Sequence, residues 1–205
     1  MGRALLDESF DAESFDLRLT WFCPPGRWSV DAARGVLSVE PVGGSDFWSK
    51  PHQGVRADDG HFLHLPVVGD FVATTKVRFR FANQYDQAGL MVRVSESCWL
   101  KTSVEYEPEP PSLLGAVVTN GGFSDWSTQA FSVGRDAVWL RVRAEQGDLI
   151  VEASQDGTDW AHLRTAHLHE SRPDGSVDCG LYACSPKGAG FVAEFEFLKI
   201  DAPDA

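Results

Sequence analysis

Strand-length runs of alternating apolar and polar residues recur along this chain, each cut off by turn chemistry. Val36–Glu40 (VLSVE), Asp70–Phe81 (DFVATTKVRFRF) and Gly89–Ser95 (GLMVRVS) alternate or run apolar, with β-branched and aromatic residues enriched. Trp99–Glu107, Ala116–Asn120, Val138–Glu145, Leu149–Gln155, Cys179–Cys184 and Gly190–Ile200 behave alike. The separators are turn formers: Asp58–Gly60, Asn120–Gly122, Glu145–Asp148 and Gln155–Gly157. No stretch carries a 3.6-residue apolar stripe over ten or more positions, and TAHLHESRP accommodates at most a short helical turn. Many short strands at close spacing predict an all-β chain folded as a two-sheet antiparallel sandwich. The longest proline-rich stretch, Glu107–Ser112 (EPEPPS), is loop-sized, so a single domain is expected over residues 16–200. The weakly patterned ends, 1–15 and 201–205, are expected to fray.

Alternation also assigns faces. In WLKTSVEYE, Leu100, Thr102, Val104 and Tyr106 point one way, and Trp99, Lys101, Ser103, Glu105 and Glu107 the other. In VWLRVRA, Val138, Leu140, Val142 and Ala144 face the core, which leaves Trp139, Arg141 and Arg143 outside. A tryptophan set among charges on the outer face of a sheet suits a ligand floor better than a core.

Thirty acidic residues against eighteen basic ones give a net charge of −12. With no Lys/Arg cluster to offset it, this field excludes nucleic acid and anionic membranes as partners. No apolar run approaches about 18 residues, and the start MGRALLDESF carries no secretory pattern. Cys23, Cys98, Cys179 and Cys184 are spaced too irregularly for a disulfide framework or a paired zinc site. They read as thiols of a reducing, cytoplasmic compartment.

The densest polar-aromatic grouping comprises Tyr85, Asp86 and Gln87, then Trp99, Lys101 and Glu105, then Asp125, Trp126 and Ser127. Brought side by side, these would pair flat indole faces with carboxylates, an amide and an ammonium. Sugars suit such a surface, because their C–H faces stack on indole while their hydroxyls bond to planar polar groups. The motifs GSDFWSKPHQG, YDQAGLMVRVSESCWLKTSVEYE, VVTNGGFSDWS, SQDGTDW and GLYACSP, in that order, resemble the DUF1349 family, also described as regulation-of-enolase-like proteins. The resemblance implies a concanavalin A-like jelly-roll of two curved sheets, with any ligand on the concave face. It adds Trp48 to the nine residues above, and Arg141 completes the expected ligand-binding set. The EPEPPS stretch departs from the family's shorter hairpin, so the neighbouring rim is expected to differ.

Glycoside hydrolysis would require two carboxyls about 5–5.5 Å or about 6.5–9.5 Å apart. Glu105 and Glu107 share a face and are the alternative catalytic pair, although Pro108 is expected to end the strand. An ion pair with Lys101 would lower the Glu105 pKa, the wrong direction for a general acid. His61, His64, His162, His167 and His169 lack a spacing that converges on a metal, and no cofactor motif occurs. The expectation is a protein that binds a carbohydrate or small polar ligand without turnover. Two alternatives stand beside it: a glycoside-processing enzyme using Glu105 as acid/base, and a regulatory module that docks a metabolic enzyme.

Overall fold

The computed structural model describes residues 3–51, 54–131, 134–172 and 175–203. Among them the chain forms β1 (Ala4–Glu8), β2 (Thr20–Phe22), β3 (Arg27–Asp31), β4 (Val36–Glu40), β5 (Phe47–Ser49) and β6 (Arg56–Asp58). Next come β7 (His61–Val68), β8 (Phe71–Arg80), β9 (Gln87–Ser95), β10 (Cys98–Glu105) and β11 (Leu113–Asn120). The remainder is β12 (Phe123–Ala130), β13 (Ala137–Glu145), β14 (Asp148–Ser154), β15 (Trp160–His167), β16 (Ser176–Cys184) and β17 (Val192–Asp201). No described residue is helical, so no helix is long and apolar enough to cross a membrane.

Two antiparallel sheets stack as the expected sandwich. One has the order β15-β14-β13-β8-β17-β4-β3, with β1 also paired to β17. The other runs β12-β11-β10-β9-β16-β7-β2, and β5 and β6 form a separate small hairpin. β8 and β13 alternate strictly between buried and half-exposed positions, because one face packs into the interlayer core and the other meets water. Leu90, Leu100, Val104, Leu140, Val142 and Leu181 meet in that core. β9 and β10 are instead buried at nearly every position, including the face turned away from the core. Something else covers them, and that cover defines the site.

Two expectations are corrected. Residues 4–10 do not fray: β1 pairs with Leu198–Asp201 with one register shift between Ala4 and Leu6, Leu6 and Phe10 sit in the core, and the Glu8 carboxylate accepts the amides of Phe10 and Asp16 at 2.7 and 2.6 Å. The start of TAHLHESRP belongs to a strand, β15, whose edge position exposes or half-exposes every side chain and so erases the alternation.

Candidate functional site

Register places the face of the second sheet that is turned away from the interlayer core in rows. One row runs Thr128, Gly115, Ser103, Gly89, Tyr182 and Phe62; the next runs Trp126, Val117, Lys101, Met91, Gly180 and His64. Across part of this face lies a strap formed by residues 42–51 and 54–60, which carries the paired strands β5 and β6. Phe47 seats its ring 6.2 Å from Trp99, 6.3 Å from Tyr182 and 6.1 Å from Phe22. Gly60 lets it in, since a Cβ there would lie 2.4 Å from the Phe47 ring. Asp58 clamps Arg93 with two bonds of 2.6 and 2.8 Å, and Ser49 reaches Ser124 Oγ at 3.0 Å and the Gly122 carbonyl at 2.8 Å. The strap is thus tied from the middle of the sheet to its β12 edge.

Beside the strap a shallow pocket remains, its enclosed part no larger than about one water molecule and the rest open to solvent. Gln87, Lys101, Ser103 and Glu105 line its inner side, and Leu113, Gly115, Val117 and Trp126 its outer side. Gly115 keeps the floor low; a Cβ there would lie 2.2 Å from the Ser127 carbonyl oxygen. Trp126 stands at the mouth, 43% exposed. Glu105 Oε2 accepts from Gln87 Nε2 at 3.0 Å, and Gln87 Oε1 accepts from the Tyr182 hydroxyl at 3.3 Å. Burial pushes the Glu105 carboxyl up to about 7; Lys101 opposes the shift, while Asp46 and Glu107 add to it. The Lys101 ammonium, almost wholly buried, has Asp46 Oδ1 at 3.4 Å and lies over the Trp99 and Tyr182 rings at 5.9 and 5.7 Å. An acceptor carboxyl poised between charge states, a buried cation and an exposed indole therefore share one small opening.

The matched family model, described as "Protein of unknown function (DUF1349)", covers residues 21–203. The chain belongs to the DUF1349 family. It is 34% identical over 184 residues to "Regulation of enolase protein 1" of Saccharomyces cerevisiae, covering 90% of this chain and 89% of that protein. A solved structure of a functionally unknown protein from S. cerevisiae superposes with a TM-score of 0.83 at 32% identity, over 92% of this chain and 98% of that one. The GH43 BlXynB protein of Bacillus licheniformis matches with a TM-score of 0.73 at 18% identity, over 96% of this chain but 39% of that one, and so shares the sandwich fold.

Within this DUF1349 chain the expected site residues separate. Gln87, Lys101, Glu105 and Trp126 line one pocket. Trp99 shares their face but is not an open floor, because the strap buries it. Trp48 belongs to the strap itself, half-buried, with Nε1 donating to the Pro51 carbonyl at 3.2 Å. Asp86 is fully buried and structural: it accepts from the Ala82 and Asn83 amides at 2.8 and 2.7 Å and from the Ser185 hydroxyl. Tyr85 holds the same turn at φ 71°, with Lys187 over its ring. Asp125 and Ser127 point away from Trp126, as strand parity demands, and both take Arg164 of β15, at 2.8 and 2.9 Å. Arg141 lies on the outer face of the other sheet, bound to Glu152 at 2.8 Å and stacked 4.0 Å over Trp160.

The alternative catalytic pair also separates. β10 ends at Glu105, and Glu107 accepts from Gln84 Nε2 at 2.8 Å and lines a different hollow with Pro108 and Pro110. Lys101 bridges to Asp46 rather than Glu105, and burial raises the Glu105 pKa against the pull of that ammonium, so the expected downward shift is reversed. Asp46, Phe47, Ser103 and Tyr182 complete the site without having been singled out as site residues. The GSDFWS motif, which holds two of them, was the available signal. Among the described residues no group of three or more His, Cys, Asp or Glu side chains could hold a metal ion.

Proposed function

We propose that the protein binds a carbohydrate or small polar ligand in the pocket between Glu105 and Trp126. The observation that carries this reading is the convergence of Gln87, Lys101, Ser103 and Glu105 beneath an indole left 43% exposed. A sugar ring would stack on Trp126 and offer hydroxyls to Glu105 Oε1, which has no hydrogen-bond partner among the described residues, and to the Lys101 ammonium. The buried thiols Cys98, Cys179 and Cys184 fit a reducing, cytoplasmic setting. The reading is non-catalytic, because a two-carboxylate mechanism needs a second free carboxyl across an open cleft, whereas Glu107 faces another hollow and Asp46 is bridged to Lys101 under the strap.

The test is a tryptophan-fluorescence titration with monosaccharides and polyols at millimolar concentration, on wild type, Trp126→Ala and Glu105→Gln. Each substitution is expected to weaken binding by about fivefold, the equivalent of about 1 kcal/mol. Silence of the wild type across the panel overturns the reading. A second reading, action on a glycolytic enzyme, is favoured by the printed name of the yeast relative. It predicts that Trp126→Ala abolishes capture of purified enolase while sugar affinity stays unchanged.

A further inference from the structure

We infer that the site, if it binds sugars as proposed, takes one sugar unit, free or at the end of a chain, and not the interior of a polysaccharide. Two paths could carry an extended glycan over this face, and the strap blocks both. Across the strands, the row that starts at Thr128, Gly115 and Ser103 continues to Tyr182, where the Phe47 ring lies edge-on at 6.3 Å. Along the strands, the face leads from Glu105 past Lys101 to Trp99, where Asp46 bridges Lys101 and Ser49 is bonded to Ser124 at 3.0 Å. The strap cannot be brushed aside cheaply, since its Asp58–Arg93 clamp has two short charge-assisted bonds and its Phe47 ring is fully buried.

Size agrees with the blocked paths. The enclosed part of the pocket has room for about one water molecule, so a ligand sits across its mouth and not inside it. Its polar groups lie within one opening instead of repeating along a groove. Only Trp126 offers an exposed ring there, so a second and third unit would find no platform. Added units would contribute ordering cost without compensating contact.

Calorimetry with D-xylose and D-glucose, and with their β-1,4-linked oligomers of two to six units, tests the inference. The expected result is an affinity per chain end that changes by less than about threefold from monomer to hexamer, with Trp126→Ala weakening all lengths alike. Affinity that climbs about tenfold or more between one and four units shows a run of subsites and overturns the inference while leaving sugar binding intact. No heat or fluorescence change with any sugar removes the underlying reading and this inference together. Monomer binding untouched by both Trp126→Ala and Glu105→Gln places the ligand elsewhere and overturns it as well.

Discussion

Glu105 is charged in the unfolded chain at neutral pH and only partly so in the folded one, because the pocket withholds water while Gln87 supplies a single donor at 3.0 Å. Its folded value of about 7 stands above the ordinary 4.5. Between those two values the folded state keeps a proton that the unfolded state has released. The carboxyl's favourable contribution is therefore full below pH 4.5 and lost as pH rises through 7, a swing on the order of 3 kcal/mol. Glu105→Gln removes the titration and retains the shape. Urea denaturation is expected to place the variant within about 1 kcal/mol of wild type at pH 4.5 and about 2 kcal/mol above it at pH 8. Equal stabilities at pH 8 would mean that the carboxyl is well solvated. Ligand hydroxyls that donate to Glu105 should also bind more tightly above pH 7 than at pH 6, which a pH series of the fluorescence titration measures.

At the scale of the element, the strap explains what could and could not be read in advance. Strands that meet water on one face, β8 and β13, announce themselves by alternation, and the shared parity of Lys101, Glu105 and Trp99 follows from the same rule. The burial of Trp99 does not, because it depends on Phe47, distant in sequence and carried by a segment with no periodic pattern of its own. β7 was equally hard to read: Pro66 argues against a strand, yet β2 pairs only Phe62–His64, so Pro66 has a strand partner on one side alone, Asp178 of β16. Phe47→Ala is expected to cost about 3–5 kcal/mol by urea denaturation, since it empties a packed site between three rings. His61 secures the strap's root: its Nε2 accepts from the Val42 amide at 2.9 Å and its Nδ1–H faces the Cys23 carbonyl at 2.6 Å. Burial lowers its pKa, so it adds stability that is present above the unfolded value near 6.5 and lost as pH falls below it. An NMR titration should find the His61 ring neutral at a pH where an exposed histidine is half charged.

Over the whole molecule, the sandwich closes through its first residues as well as its last. β1 lies along β17, and Leu6 and Phe10 are buried to 2% and 0% exposure. Deleting residues 3–10 should lower unfolding stability by roughly 3–6 kcal/mol, from the two apolar side chains alone. A truncated chain with an unchanged urea midpoint would show that β1 is ornamental.

The strap leaves the sandwich at Val42 and rejoins it at His61, and a hydrogen bond of 2.9 Å ties those two points together. An excursion whose ends already touch is a replaceable cassette: a short turn could span the gap and leave the strand order of the two sheets beneath unchanged. The trimmed protein would uncover Trp99, Tyr182 and Phe62 as a continuous aromatic pavement. If the face binds sugars as proposed, one exchangeable loop sets how long a glycan it accepts, and engineering for long glycans would begin by shortening that loop.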